Sequence, residues 1–146
     1  MTHGIDTDFL VAVEIMEHPF HREADVLLRA LLRDGHDLAV APQTLAEFIH
    51  VVTDERRMPQ PLKMAEAIAR AEQWWQAVEV VRVFPDGRSV SDFLVWLTRY
   101  RLGRKRLLDT MLAATLKSSG VKRIVTNNEC DFNELDGLEV VAFRGA

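Results

Sequence analysis

Three acidic residues stand beside apolar side chains, where an ionised group is costly to bury. Asp109 interrupts the largely apolar segment 107–116, and Asp6 and Glu47 each adjoin at least one apolar residue. A carboxylate that is removed from water costs several kcal/mol unless it is paired or binds a metal ion. These positions suggest a metal site, provided that the fold brings the carboxylates together.

Each of these acids also has a local structural explanation. Asp109 would lie near the start of a helix, where the helix dipole favours a negative charge by about 0.3–1 kcal/mol. Thr44 and Glu47 fit the spacing of a capping box, although Pro42 prefers the first helical position and would move Glu47 into the second turn. Asp6 could cap the helix that follows it. Taken singly, none of the three acids distinguishes a role at a helix end from a role in a metal site.

A polar segment, residues 126–131, follows the fourth predicted strand of the chain. Its Thr, Asn and Asp side chains are typical of turns, but they are also oxygen donors. In open α/β sheets, functional sites form beyond the carboxyl ends of the strands. Asp6 ends the first predicted strand and Glu47 begins the helix after the second, so both should meet the polar segment at one edge. This convergence is stronger evidence for a site than any single residue.

The chain alternates between short β-rich runs and segments with helical periodicity. Strands separated by helical crossovers imply a mostly parallel sheet that is covered by helices on both faces. We therefore predict an α/β fold with a central sheet of four to five strands. The predicted strands span residues 2–6, 38–40, 80–84, 123–126 and 138–141, and the predicted helices span residues 22–33, 43–53, 62–77, 89–100 and 107–117, with a shorter helical stretch from residue 8.

Length and composition indicate one globular domain. A chain of 146 residues is typical of a single compact domain, which we expect to span residues 1–146. The composition, 48% apolar and 27% charged, argues against disorder or a repeat array. No apolar run approaches the roughly 18 residues of a membrane helix, and the first residues do not resemble a signal peptide. We expect a soluble, cytoplasmic protein.

The residue types favour a hard cation if the acids converge. Oxygen ligands select Mg²⁺ or Mn²⁺, whereas zinc sites usually contain cysteine or histidine. The chain has a single cysteine and no His-x-x-x-His pair, which argues against zinc. We expect the histidines on the surface or at helix ends; they are His3, His18, His21, His36 and His50.

Four short segments contain the acids in a fixed order along the chain. They are Gly-Ile-Asp6-Thr-Asp-Phe-Leu, Pro-Gln-Thr-Leu-Ala-Glu47-Phe, Arg-Leu-Leu-Asp109-Thr-Met-Leu and Val-Thr126-Asn-Asn128-Glu-Cys-Asp131-Phe. This order resembles the PIN-domain ribonucleases, and especially the VapC toxins of prokaryotic toxin–antitoxin pairs. The resemblance covers essentially the whole chain, and four motifs in order are far more specific than one.

The resemblance implies a three-layer αβα sandwich and metal-dependent endonucleolytic cleavage of RNA. One or two Mg²⁺ or Mn²⁺ ions would serve as the cofactor. The acids that match the family's catalytic and metal-binding positions are Asp6, Glu47, Asp109 and Asp131. Thr126 and Asn128 match the polar residues that orient the acids or a bound water.

Two positions depart from the family's pattern. Asp8 stands where many members have Ser or Asn, so it either adds a charge to the pocket or caps a helix. Some relatives carry an acid at the position of Asn128, which leaves the fourth acid and the number of metal ions open.

A run of basic residues precedes Asp109, although the net charge of the chain is −4. An acidic pocket repels RNA, so the substrate requires positive charge elsewhere to neutralise its phosphates. This run is the candidate, and its alternative role is that of a solvated helix end. It comprises Arg99, Arg101, Arg104, Lys105 and Arg106. Trp74 and Trp75 could stack on bases, but packing or a protein interface is the favoured interpretation.

The resemblance also implies partners, and two other functions stay open. A toxin of this class implies an RNA substrate, a small VapB-like antitoxin that lies over the pocket, and a homodimer. The first alternative is a PIN-like domain that binds RNA or protein without turnover. The second is a phosphatase of the haloacid dehalogenase class, because Asp6-Thr7-Asp8 follows a strand as its nucleophile motif would. That reaction also needs a lysine at a strand end, and the candidate, Lys122, precedes its strand.

Overall fold

Strands and helices alternate along the chain in the computed structural model, which describes residues 1–135 and 137–146. The strands are β1 (Thr2–Ile5), β2 (Asp37–Val40), β3 (Val80–Arg82), β4 (Arg123–Val125) and β5 (Glu139–Val141). The helices are α1 (Thr7–Glu14), α2 (His21–Arg33), α3 (Pro42–Val52), α4 (Met64–Gln76), α5 (Gly87–Arg99), α6 (Leu107–Ser118) and α7 (Glu129–Phe132). A short 3₁₀ helix, Arg104–Arg106, leads into α6.

The five strands form one parallel sheet in the order β3-β2-β1-β4-β5. The central strand β1 pairs with β4, and the partners at their carboxyl ends are Ile5 and Val125. The next residues along the chain, Asp6 and Thr126, therefore leave the sheet side by side. The predicted sheet of four to five mostly parallel strands is confirmed.

Helices cover both faces of the sheet, and each face has its own apolar core. In β2, Leu38 and Val40 pack into the core that α1, α2, α3 and α4 complete. Ala39, between them, packs into the opposite core with α5, α6 and α7. Strands buried on both faces read as continuous apolar runs, which explains why these segments lack a polar alternation. The structure is the three-layer αβα fold that the resemblance implied.

The predicted helices agree with the five longest interstrand helices, whose ends differ by at most two residues. α5 begins earlier than predicted because Asp86 caps it: its Oδ1 accepts from the Ser89 N–H at 2.8 Å, and the Asp86 N–H donates to the Ser89 hydroxyl. α7 has four residues, which is too short to show helical periodicity in the sequence. Within residues 1–135 and 137–146, no helix is both long and apolar enough to cross a membrane.

The adjacent tryptophans lie in α4 and have packing roles. Trp74 belongs to the first core, and its indole N–H donates to Glu14 Oε2 at 3.0 Å. The guanidinium of Arg82 lies 4.9 Å from the centre of the Trp75 ring, and Phe84 contacts the same ring edge-on. The packing interpretation of this pair is confirmed.

Gly4 lies in the central strand, where there is no room for a side chain. A Cβ at this position would overlap Leu116 of α6 and lie 3.1 Å from the carbonyl oxygen of Arg123. Leu116 is fully buried, so its side chain can move aside only by displacing its neighbours in the core. We expect Gly4→Ala to lower the free energy of unfolding by about 1–3 kcal/mol, the usual cost of overpacking, as measured by urea denaturation.

Gly87, the first residue of α5, offers a matched control because a Cβ at that position would have no atom within 4 Å of it. Gly87→Ala should leave the stability unchanged or raise it slightly, since alanine loses less backbone entropy in a helix. Equal denaturation midpoints for Gly4→Ala and wild type would show that α6 is not packed tightly against β1.

Candidate active site

Strand ends and helix starts meet around an open cavity of about 240 Å³ at the carboxyl edge of the sheet. Asp6 follows β1, Glu47 projects from α3, and Asp109 lies in the first turn of α6. The cavity is lined by Asp6, Thr7, Asp8, Val11, His18, Glu47, Val51, Arg57, Met58, Asp109 and Asn128. The structure therefore brings three of the four predicted acids, and Asn128, to one place.

Asp6 is both a helix cap and a member of this acidic group. Its Oδ1 accepts a hydrogen bond from the Thr7 N–H at 2.7 Å, which caps α1. Its Oδ2 accepts from the Thr126 hydroxyl at 2.8 Å. The residue is 3% exposed, so these two bonds fix the orientation of a nearly buried carboxyl group. The capping role and the site role thus coexist in one side chain.

Asp8 also places its carboxyl group at the cavity. Its Oδ2 accepts from the Asn127 N–H at 2.9 Å and lies 3.2 Å from the Thr126 hydroxyl oxygen. The other oxygen, Oδ1, is buried and has no hydrogen-bond partner among the described residues. Asp8 does not cap α1, since Asp6 does. Of the two roles left open for Asp8, the structure favours an added charge at the site.

Glu47 and Asp109 face the cavity from two helices. Pro42 is the first residue of α3, so Glu47 falls in the second turn, and no side chain caps this helix. The capping-box explanation for Glu47 is therefore wrong. Asp109 is the third residue of α6, where the exposed N–H groups of a helix start favour a carboxylate.

A second, smaller cavity of about 20 Å³ adjoins the same three acids between α3 and α6. Among the described residues, the Thr44 hydroxyl and the Gln43 amide nitrogen on its wall are buried without hydrogen-bond partners. The volume suits about one water molecule, which such polar groups would hold. Asp6, Glu47 and Asp109 are thus accessible to small polar species from two sides.

Asp131, the fourth predicted acid, lies behind Asp109 and is not among the described residues that line either cavity. After burial and the charge of Asp6, the Asp131 side chain helps to raise the pKa of Asp109. Arg106 Nε lies 3.3 Å from Asp131 Oδ1, and Arg106 Nη2 donates to the Asp131 carbonyl oxygen at 2.6 Å. A further ion pair joins Arg106 Nη1 to Glu134 at 2.9 Å. Arg106 therefore holds α7 against the start of α6.

The polar segment after β4 orients the acids. The Asn128 N–H donates to the Thr126 hydroxyl oxygen at 2.9 Å, so that hydroxyl must direct its own proton towards a carboxylate. Asn127 Oδ1 accepts from the N–H groups of Phe143 and Arg144, each at 2.9 Å. The segment is therefore fixed on both sides, as an orienting role requires.

Crowding and burial raise the pKa of three carboxyl groups. Burial, and then the charge of Asp8, raises the pKa of Asp6 to about 7. Burial is also the main cause for Asp8, whose pKa rises to about 6. Burial, the charge of Asp6 and the contact with Asp131 raise the pKa of Asp109 to about 8. A bound cation would offset the burial cost and the repulsion that raise these pKa values, so its binding would release the protons.

The donors around the cavity fit a hard divalent cation. They are carboxyl, hydroxyl and amide oxygens, which Mg²⁺ and Mn²⁺ prefer. The buried, unpartnered Oδ1 of Asp8 is an oxygen that such an ion would satisfy. In the described part of the chain, no three acidic, histidine or cysteine side chains are grouped closely enough to hold one ion. Mg²⁺ needs fewer direct ligands, because it keeps several waters and binds through one or two carboxylates.

The basic residues predicted to bind RNA lie outside both cavities, as far as the described residues show. Arg106 is 21% exposed and is engaged by two carboxylates. Arg99, Arg101, Arg104 and Lys105 are exposed in and after the last turn of α5. Of the five basic residues, Arg106 therefore has a structural role, and the other four lie at the surface.

Two nitrogen-bearing side chains that the sequence did not indicate, an imidazole and a guanidinium, do line the larger cavity. His18 lies between α1 and α2, and Arg57 lies between α3 and α4. Loop residues have no periodicity from which their direction could be predicted. The expectation that the histidines lie on the surface or at helix ends is also wrong for His3, which is 4% exposed in the central strand.

A family model described as "PIN domain" matches residues 5–138 of the chain. The match spans all the predicted acids and both loops at the cavity. No sequence among the curated proteins compared with it is significantly similar to the chain.

Several solved structures share the fold over nearly their whole length. VapBC2 from Rickettsia felis, bound to a DNA fragment from its promoter, is 14% identical, with a TM-score of 0.69 over 97% of this chain and 98% of that one. VapBC-1 from nontypeable Haemophilus influenzae is 17% identical, with a TM-score of 0.67 over 99% of both chains. VapC20 of Mycobacterium tuberculosis, described as a toxin that cleaves the sarcin-ricin loop, is 15% identical, with a TM-score of 0.63 over 85% and 87%.

Proposed function

We propose that this chain, which belongs to the PIN-domain family, is a Mg²⁺- or Mn²⁺-dependent endoribonuclease and the toxin of a VapBC-type pair. One observation carries the proposal: carboxyl groups from the end of β1 and from α1, α3 and α6 share one cavity, although burial and their mutual repulsion raise the pKa values of Asp6 and Asp109. Such an arrangement is unfavourable in a protein without a cation and is typical of functional sites. The VapBC-like fold supports the same conclusion.

The chain's own residues would bind and orient the reacting groups. Asp6, Glu47, Asp109 and Asp131 are the proposed metal ligands and catalytic acids, and none of them would attack the phosphate itself. Because Asp131 is not among the described residues that line the cavities, it would contribute from beside Asp109 rather than from the cavity wall. A bound Mg²⁺ or Mn²⁺ would supply charge to the phosphoryl oxygens and lower the pKa of a water. The Thr126 hydroxyl holds the Asp6 carboxylate in place, and Asn128 lies at the cavity wall, where it could orient a water.

RNA must approach this acidic cavity against electrostatic repulsion. The four surface residues, Arg99, Arg101, Arg104 and Lys105, lie just before the helix that carries Asp109. We infer that they neutralise phosphates outside the cavity, while Arg106 acts from within the fold by holding Asp131. Each phosphate contact would add to the salt dependence of RNA binding.

A toxin requires restraint, and the similar structures suggest how it is supplied. The Haemophilus and Rickettsia proteins are VapBC complexes, and another similar structure is a toxin–antitoxin complex from Klebsiella pneumoniae. We propose a small VapB-like antitoxin as the partner of this chain, and a homodimer as its own assembly. A cationic antitoxin side chain would be attracted to the acidic cavity.

Cleavage of single-stranded RNA by the purified protein is the direct test. Products should form with Mn²⁺ or Mg²⁺, and EDTA should stop their formation. RNA binding without cleavage in either metal would identify a non-catalytic binding module instead.

Expression in a bacterial host should arrest growth for wild type but not for Asp6→Asn, and growth of both strains alike would contradict the toxin role.

Metal binding is expected to stabilise the fold. A ligand at 100 times its dissociation constant adds about 2.7 kcal/mol to the free energy of unfolding, which is about 8 °C in Tm for a domain of this size. Mn²⁺ should therefore raise the Tm of wild type in differential scanning fluorimetry. The same rise in Asp109→Asn would show that Asp109 is a helix-end charge rather than a ligand.

The phosphatase alternative is not supported. Its reaction requires a lysine near the nucleophilic aspartate, and the candidate, Lys122, is exposed at the amino end of β4. In a parallel sheet that end is the edge opposite to Asp6. The chain also belongs to a different family.

A further inference from the structure

The acidic cavity has a cationic side chain, Arg57, and an imidazole, His18, on its own wall. They come from two separate loops, whereas the acids come from the end of β1 and from α1, α3 and α6. Neither residue is needed to hold a divalent cation. The protonated guanidinium of Arg57 has no acceptor atom, and the imidazole of His18 is not a preferred ligand of Mg²⁺, which binds oxygen atoms. Their presence beside buried carboxylates therefore requires a different explanation.

His18 is oriented by its own loop. Its Nδ1 accepts a hydrogen bond from the Phe20 N–H at 3.0 Å. A ring nitrogen that accepts carries no proton, so the proton of the neutral ring is on Nε2. The loop thus fixes the ring as a hydrogen-bond donor in the wall of the cavity.

Arg57 is positioned by a neighbouring acid. Its Nε lies 3.5 Å from Asp54 Oδ2, and the side chain is 54% exposed. This contact engages Nε, and the two terminal nitrogens of the guanidinium can donate to an anionic partner. Arg56, the next residue along the chain, is also exposed but does not line the cavity.

We propose that His18 and Arg57 bind the phosphate of the RNA strand that enters the cavity, a role that rests on the proposed function. A phosphate near several carboxylates is repelled, so cationic or donor groups must lie close to it as well as on the outer surface. Among the described residues that line the cavity, these two side chains supply an N–H donor and a full positive charge. They are positioning residues that act on the substrate backbone, which predicts tight binding without base preference.

Arg57 can be tested against its neighbour by fluorescence anisotropy. A labelled single-stranded RNA would be titrated with proteins that also carry Asp109→Asn, so that it is not cleaved. Arg57→Ala should weaken binding about tenfold and reduce the slope of log affinity against log salt by about 0.7. Arg57→Lys should keep the slope, and Arg56→Ala should keep both affinity and slope. Equal losses for Arg56→Ala and Arg57→Ala would overturn the assignment.

Two substitutions separate the donor role of His18 from its structural role. In His18→Asn the amide oxygen can replace Nδ1 and accept from Phe20, but no donor replaces Nε2. In His18→Gln the longer amide can place an N–H near the position of Nε2. His18→Gln should therefore bind RNA more tightly than His18→Asn, and the reverse order would contradict the proposal.

The experiments distinguish a failure of the phosphate contact from a failure of the proposed nuclease activity. If wild type cleaves RNA and Arg57→Ala has an unchanged KM, the phosphate role is wrong and the nuclease activity stands. If wild type does not cleave RNA but Arg57→Ala still loses binding and salt dependence, the RNA contact stands and the nuclease activity is wrong. Matching Tm values for all variants in EDTA would show that the losses do not come from unfolding.

Discussion

Asp109→Asn is expected to lower the rate of RNA cleavage at least about 100-fold while the protein stays folded. Asparagine keeps the size and shape of aspartate but removes the charge that a Mg²⁺ or Mn²⁺ ion requires. Loss of about 3 kcal/mol of transition-state stabilisation gives this factor, and metal ions supply several kcal/mol in such reactions. Cleavage of a fluorescent RNA under single-turnover conditions measures the effect on chemistry directly.

Asp25→Asn is a suitable control because it removes an equally negative side chain that is remote from the site. Asp25 forms an exposed ion pair with Arg29 at 2.8 Å within α2, and such pairs contribute little. Its cleavage rate should equal that of wild type. Comparable losses in both variants would mean that net charge, rather than the cavity, governs the activity.

The metal-free protein is expected to lose stability as the pH rises from 5 to 9. The pKa values of Asp6, Asp8 and Asp109 are raised to about 7, 6 and 8, above their usual value of 3.8. At pH values between the ordinary pKa and the raised pKa of each group, the folded state binds more protons than the unfolded state. The free energy of unfolding therefore falls as the pH rises. Stability is full below about pH 4 as far as these groups are concerned, and the loss is complete about one pH unit above the highest of the three pKa values, near pH 9. A pKa displacement of 1 corresponds to about 1.4 kcal/mol, so we expect a total loss of at least about 3 kcal/mol in EDTA.

Asp109→Asn should flatten this pH dependence, because its pKa is the most strongly raised. At pH 9 in EDTA, urea denaturation should show the variant to be more stable than wild type, although it is the inactive protein. Addition of Mn²⁺ should reverse the order, since wild type alone would gain the binding energy. A flat profile for wild type between pH 5 and 9 would show that these carboxyl groups are not crowded in solution.

The sheet and its acidic edge were predictable because both depend on local patterns. Apolar runs gave the strands, periodicity gave the helices, and the parallel order then placed Asp6 and Thr126 side by side. Asp109 could be singled out because a charge inside an apolar helix is unusual. Asp131 followed from the resemblance, and its contact with Asp109 depends on Arg106, whose basic character had pointed towards RNA instead.

The rest of the cavity wall was not predictable, since it depends on how the loops return to the sheet. Nothing in the pattern around His18 or Arg57 distinguishes a cavity residue from a surface one. Asp8 was ambiguous because helix starts commonly contain two acids, and the hydrogen bond from Asn127 that decides its role spans 119 positions. Contacts at that separation are set by the tertiary structure alone.

Asn127 connects the chemistry of the cavity to the far end of the chain. Its N–H donates to Asp8, while its side-chain oxygen accepts from the amides of Phe143 and Arg144. Arg144 also donates to the Asn127 carbonyl oxygen and to Glu129. The position of the N–H that Asn127 offers to Asp8 therefore depends on the segment after β5, which lies outside the cavity.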